Sequence, residues 1–359
     1  MRPKTLKIIA ASSGIATFTV APTFAVAYKI ILDTRARRDG LIIGAKAFGE
    51  GLILANMQEL MVNHWTDIYT KLVTGIDSPL APELLNNKNI HTIAEYTGSI
   101  YDNYWKKSPK NTGAKTVDNF NLDDYVNYMD EFEATKDLEL IYDNQQTPKG
   151  VGFENSYALI ARKGEFAGVN SLKDLFDKDD KKIGLSTNVL VSSGILNKML
   201  DISERNQYDN SKDSQKARER LETKKWEVKT LDSTDNKYEM LKNGNIDIAL
   251  GYTTDSQINE FNKLNLSDLN NNFVSYQAAY IISKQKLQQF SSIKLKKTPD
   301  SRKTEGVELK SILQAIRITT DEMIAMNKKL AEKNIENENT PYQIAKRFLE
   351  AKDYFKNNL

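Results

Sequence analysis

The sequence predicts an α/β protein with mostly parallel sheets, because short apolar segments of strand length alternate with segments of helical periodicity from about residue 40 onward. At 359 residues the chain is long enough for two domains, each burying its own core. No internal repeat and no long Gly/Ser- or Pro-rich linker divides it.

The first 38 residues stand apart as a signal or anchor segment. A basic start (Arg2, Lys4, Lys7) leads into an apolar run over residues 8–32, interrupted only by Pro22 and Lys29, and an A-x-A site falls at residues 25–27. The run is about long enough to span a bilayer as a hydrophobic helix, which takes roughly 20 residues. Arg35, Arg37 and Arg38 follow it, so basic residues flank both ends and give no clean orientation. The expectation is an export segment that anchors the chain or is cleaved, with everything from Asp39 onward on the outer side of the membrane.

The elements then follow in order. "LIIGAKAF" (41–48) reads as a strand entering a turn, and "GEGLILANMQELMVNHWTDI" carries apolar residues at helical spacing. "NIHTIAEYTGS" suggests a strand and a helix start near residues 97–99. "NLDDYVNYMDEFEATKDLEL" (121–140) opens with an Asn cap and an acidic first turn, as a helix should. Tyr157–Ala161 is a short apolar strand, "SLKDLFDKDD" a capped helix, and "KKIGLSTNVL" a strand and loop. The long stretch over 194–226 is helical, with a strongly polar second half. "WEVKTLDS" is a strand, "NKYEMLKNGN" a helix ending at Gly244, and "IDIALGYTTD" a buried strand. "FVSYQAAYIIS" is a further strand. The C-terminus is helical through "GVELKSILQAIRITTDEMIAMNKKLAEKN" and "TPYQIAKRFLEAKDYF", the latter opening with Thr-Pro as cap and first position.

Composition narrows the function. A net charge of +2, with lysines and acids interspersed, gives no concentrated basic face for nucleic acid. Cysteine is absent, which removes disulfides, thiolate catalysis, Cys-ligated metal and a lipobox anchor together. Two histidines, His64 and His91, are too few for a His-based metal site or triad of any standing. The phosphate-binding glycine loops, the nucleophile-elbow motif and H-E-x-x-H are all missing. "DNSKDSQKARE" lacks the glycine and terminal acid of a calcium loop. The reading is therefore of a non-enzyme with no catalytic residue, no metal and no cofactor.

What remains is aromatic. Tyr96, Tyr157, Tyr252 and Tyr276 each stand at or beside the end of a strand-like segment, where ligands gather in open α/β sheets. Converging tyrosine faces suit a bulky, weakly hydrated cation such as quaternary ammonium, at up to about 2 kcal/mol per desolvated contact. On spacing alone, half-buried packing residues are the simpler account of such tyrosines.

The local motifs shift that balance. "GAKAFGEGLILANMQELM", "AEYTGS", "GFENSYALIARK", "YEMLKNGNIDIALGYTTDSQI" and "SYQAAYIISKQKL" occur in this order, with "TTDEMIAMNKKL" and "TPYQIAKRFL" behind them. Together, over residues 40–355, they resemble the osmoprotectant-type substrate-binding proteins of ABC importers, which take up glycine betaine, choline or carnitine. The resemblance implies a two-lobed, periplasmic-binding-protein-like (type II) fold with two hinge crossings. Lobe one would comprise 39–151 and 259–359, and lobe two 152–258. It implies a monomer that works with an ABC permease in the membrane. It also places a quaternary-amine ligand in a box of Tyr96, Tyr157, Tyr252 and Tyr276, two from each lobe. Lys46 matches a polar cleft position, Ser99 stands where relatives usually carry threonine, and Asn155 offers a nearby backbone or amide contact. Tyr238 reads as packing. Relatives that bind a carboxylate often bring an arginine after a lobe-two strand; here "GLSTNVLVSSGIL" offers Ser192 and Ser193 instead. A betaine carboxylate would lose a charged hydrogen bond of about 1.5–3 kcal/mol, compensated only in part by Lys46, so choline is favoured over glycine betaine or carnitine. The alternatives are a binding protein for another small solute such as an amino acid, an enzyme on the same scaffold, or a non-transport surface protein.

Overall fold

The computed structural model describes residues 38–100, 137–141, 150–186, 195–204, 214–231, 236–266, 276–293, 295–296, 307–332 and 339–356. The chain opens with β1 (Gly40–Lys46), α1 (Gly49–Trp65), β2 (Tyr69–Ile76), α2 (Ala81–Asn86), β3 (Thr92–Tyr96), α3 (Thr97–Ile100) and β4 (Leu138–Ile141). It continues through β5 (Tyr157–Ala161), α4 (Leu172–Phe176), β6 (Lys182–Ser186), α5 (Ile195–Glu204), α6 (Ser214–Thr223), β7 (Glu227–Leu231), α7 (Asn236–Lys242), β8 (Ile248–Tyr252) and β9 (Asn262–Lys263). Last come β10 (Ala278–Ser283), α8 (Lys284–Gln289), α9 (Leu309–Gln314), α10 (Thr320–Ala331) and α11 (Pro341–Ala351).

The strands form two five-stranded sheets, β2-β1-β3-β10-β4 and β7-β6-β8-β5-β9. In each, the first three strands are parallel and the fourth is reversed. Both faces of both sheets are covered, so their strands read as near-continuous apolar runs. Along β1, Leu41, Ile43 and Ala45 enter one cluster with α1 and the C-terminal helices, while Ile42 enters another with α2. Leu159 and Ala161 of β5 face Trp226 and Phe176, and Ala158 and Ile160 face Tyr238 and Leu241.

The reversed strands decide where the tyrosines meet. Because β10 runs antiparallel to β3, the start of β10 lies beside the end of β3, with Ala278 opposite Tyr96. Because β5 runs antiparallel to β8, Tyr157 at the start of β5 faces Tyr252 at the end of β8.

The chain crosses between the sheets along residues 150–156. There Val151 N–H donates to Ala278 O at 2.7 Å, Ala278 N–H to Phe153 O at 3.1 Å and Asn155 N–H to Tyr276 O at 2.9 Å. Gly150 and Gly152 hold φ of +71° and +110°, and a Cβ on either would strike a backbone carbonyl, of Ala278 and Ile318 respectively. After β9 the chain stays with the second sheet through Leu264 and Leu266, both in its core.

α10 belongs to both halves. Met323 and Met326 pack with the first sheet's core, whereas Ile324 packs with Tyr238, Leu241 and Ile258 against the second.

Two expectations are corrected. The helix expected over 121–140 is overturned at its end, where Leu138–Ile141 form β4 and the buried Leu138, Leu140 and Ile141 pair beside β10, while residues 121–136 lie outside the described residues. β2 was not anticipated from the sequence; it is an edge strand, half-exposed along most of its length. The C-terminal helical stretch breaks over residues 315–319, where Ile316 and Ile318 are buried outside helix and Ile318 N–H donates to Val151 O at 2.9 Å. Thr319 and Glu322 then form a reciprocal capping box that restarts the chain as α10. The export or anchor segment expected over residues 1–38 lies outside the described residues up to residue 37, as do Ser192 and Ser193. Among the described residues no helix is long and apolar enough to cross a membrane.

Candidate functional site

Three of the four singled-out tyrosines are in ring contact. The Tyr157 and Tyr252 centroids are 5.1 Å apart at 35°, and Tyr157 and Tyr276 are 5.4 Å apart at 82°, nearly perpendicular. The Tyr276 ring lies over Gly98, where a Cβ would come within 2.6–2.9 Å of three ring atoms. Tyr96 is buried at the end of β3; its ring stacks on Phe48 at 6.2 Å, and Phe48 is 43% exposed.

The surrounding motifs hold these rings in place. In "EYTGS", Thr97 and Gln277 exchange two bonds: Thr97 N–H to Gln277 O at 3.0 Å and Gln277 N–H to Thr97 Oγ1 at 2.9 Å. Ser99 sits half-buried in α3, one turn from Tyr96. In "GYTTD", Thr253 binds the crossing segment: its hydroxyl donates to Glu154 O and accepts from Ser156 N–H, each at 2.9 Å, and its own N–H donates to Ser156 O. Asp255 Oδ2 accepts from Tyr252 N–H at 2.9 Å and Tyr238 O–H at 2.8 Å, and pairs with the buried Lys237 ammonium at 2.5 Å. That ammonium lies 5.5 Å from the Tyr252 ring centroid. Tyr238 is a core residue against Phe261, in line with its reading as packing.

Lys46 is committed. At 1% exposure its ammonium pairs with Glu95 at 2.5 Å and donates to Ser78 Oγ. Burial raises the Glu95 pKa above its ordinary value, and the Lys46 charge opposes that shift.

Sequence reasoning passed over Glu50. This carboxylate lies in the first turn of α1, where an acid reads as ordinary dipole compensation, yet it is buried. Oε1 accepts from Tyr96 O–H and from Asn155 Nδ2 at 3.2 Å, and Oε2 from Asn327 Nδ2 at 3.1 Å. Asn327 also donates to Thr254 O at 2.8 Å. Four stretches of chain from both sheets thus converge on one carboxylate. Desolvation pushes its pKa up, and also pushes up those of Tyr96 and Tyr252, keeping both phenols neutral.

The histidines do other work. His91 is buried and accepts the Ile42 N–H on Nδ1 at 3.0 Å, bracing β1; His64 contacts Phe355 O at 3.1 Å. Among the described residues no group of three His, Cys, Asp or Glu side chains could hold a metal ion.

Two sheets whose strand orders correspond one to one, joined where the chain crosses between them, are the architecture of type II solute-binding proteins. Residues 39–295 match the family described as the substrate binding domain of ABC-type glycine betaine transport systems, and the chain belongs to that family. It is 24% identical over 328 residues to the carnitine transport binding protein OpuCC of Listeria monocytogenes, covering 89% of this chain and 88% of that protein. A solved glycine betaine/carnitine/choline ABC transporter structure matches with a TM-score of 0.59 at 19% identity, over 88% of this chain and 99% of its own. The apo form of YehZ from Escherichia coli matches with a TM-score of 0.55 at 14% identity, over 88% and 99%. At these identities the solved structures establish the fold. The family establishes a transporter's substrate-binding protein, which works outside the cytoplasm beside an ABC permease and is not an enzyme.

Proposed function

We propose that this protein captures a quaternary amine between two closing lobes, in a cage of Tyr96, Tyr157, Tyr252 and Tyr276, and hands it to its permease. The observation that carries the reading is the convergence of Tyr157, Tyr252 and Tyr276, from three separate stretches of chain, at 5.1–5.4 Å between rings. Neutral phenol rings offer electron-rich faces, and a cation without N–H donors gains up to about 2 kcal/mol from each when desolvated. Ser99 and Asn155 would supply polar contacts at the rim of the cage. A ligand touching both lobes favours the closed state by its differential contacts alone.

Choline is the preferred ligand in this reading, over glycine betaine or carnitine. Lys46, the cation that could have served a ligand carboxylate, is neutralised by Glu95, which leaves a zwitterion without a strong partner for its anionic end. The test is calorimetric titration with choline, glycine betaine, carnitine and proline, beside Tyr252→Ala. Micromolar or tighter binding of one quaternary amine, lost in the variant, is the expected result. No binding across the panel by folded protein would reduce the tyrosines to packing, and tighter betaine than choline binding would overturn the preference.

A further inference from the structure

The buried carboxylates around the tyrosines are of two kinds. Glu95 is paired with Lys46, and Asp255 with Lys237. Glu50 receives only neutral donors: the Tyr96 hydroxyl, the Asn155 and Asn327 amides and the Thr254 hydroxyl. Among the described residues no ammonium or guanidinium pairs with it. A buried carboxylate lacking a cation is costly, and an arriving cation relieves that cost.

We propose that Glu50 is the specificity-determining counter-charge of the ligand site: it selects a cationic quaternary ammonium alcohol over a zwitterionic betaine, and binding of the cation releases a proton from its carboxyl group to solvent. The proposal rests on the tyrosine-cage reading and goes beyond it, because a cage alone binds the ammonium head of choline and of betaine alike.

Glu50 is linked to the cage from several directions. Tyr96 donates directly to it. Asn155, which donates through its side chain to Glu50, donates through its backbone to Tyr276 O. Thr254 follows Tyr252 by two residues. The Asn155 amide has its Nδ2 committed to the Glu50 carboxyl group, and its buried Oδ1 lacks a donor among the described residues. A ligand hydroxyl can donate to that oxygen. A betaine carboxylate cannot, because it is itself an acceptor and would leave Oδ1 unpaired.

The proton follows from the charges. In the ligand-free protein, burial raises the proton affinity of Glu50, and the field of Asp255 adds to it. Around it Tyr96 from β3 is neutral, Asn155 and Asn327 carry no charge, and Asp255 and Glu95 are each held by a lysine. A bound cation favours the carboxylate and lowers its pKa, so binding expels the proton. Choline affinity therefore rises with pH up to the ligand-free titration of Glu50 and is flat above it.

The experiment is calorimetric titration of the full chain with choline and with glycine betaine, across roughly pH 5 to 8, in buffers of different ionisation enthalpy. Neither ligand titrates in that range, so any proton counted comes from the protein. Expected are proton release with choline, little with betaine, and an affinity for choline that climbs and then levels. Glu50→Gln, which keeps an acceptor for Tyr96, should weaken choline about tenfold or more, change betaine less than about threefold and abolish the pH dependence. If the wild type binds choline with no proton released and no pH dependence, the inference is overturned while the cage survives, and this readout needs no variant. An unchanged choline-to-betaine ratio in Glu50→Gln overturns it equally. Failure of the wild type to bind either amine removes both.

Discussion

Replacing Gly98 with alanine perturbs the proposed cage by one methyl group. A Cβ there would lie 2.6 Å from Tyr276 Cζ, 2.7 Å from Cε1 and 2.9 Å from Cε2, so the methyl meets the ring broadly and not at one edge atom. Carbon contacts settle at about 3.5–4.0 Å, so the ring must retreat by about 1 Å. The backbone pays little for the change. Gly98 lies inside α3 without a positive φ, and alanine in a helix gains about 0.5–1 kcal/mol over glycine. That gain offsets much of the repacking of a half-buried ring, and thermal stability should stay nearly constant. Ligand binding has no such offset: one wall of four moves, at a cost of up to about 2 kcal/mol, or up to about 30-fold in Kd. Titration calorimetry with choline, run beside thermal unfolding, separates the two effects. An unchanged Kd would show that Tyr276 does not touch the ligand. A large fall in Tm with Kd preserved would make the ring a structural prop, and the reasoning would fail.

Lys46→Met strands Glu95 in the core without its ammonium, and should cost about 3–5 kcal/mol in urea unfolding at neutral pH. A loss below about 1 kcal/mol would mean that the pair is not charged in the wild type. Glu50→Gln should act oppositely on the ligand-free protein. A carboxylate whose folded pKa is raised stabilises below its unfolded value and loses that contribution as pH rises through its folded value. The variant should therefore unfold at higher temperature than the wild type at pH 8, with the gap closing as pH falls toward the ordinary value of 4.5; a gap independent of pH would contradict the buried charge.

Much of the strand pattern was legible because both faces of each sheet are covered, which makes β1, β3, β5, β8 and β10 plain apolar runs. The tyrosines stood out at their ends for the same reason. What could not be read was the reversal of β5 and β10, which brings a strand start level with a strand end and so turns Tyr157 toward Tyr252. Lys46 was singled out only as a match to a polar cleft position, and its partner Glu95 lies 49 residues on. Glu50 was hidden by its position, since only tertiary contacts with Asn155 and Asn327 distinguish it from any acid in a first helical turn. β4 was mistaken for helix because its local pattern continues a polar, helix-like stretch, and only β10 beside it makes it a strand.

The placement of β10 between β3 and β4 also sets an order in time. The second sheet takes all its strands from one unbroken stretch, Tyr157 to Lys263, and can close as soon as that stretch has been synthesised. The first sheet must wait. Among the described residues β4 pairs only with β10, and the bond from Gln277 to Thr97 spans 180 residues. Contacts of such separation form slowly, so β3 and β4 gain the strand they share only after residues 278–283 have been made.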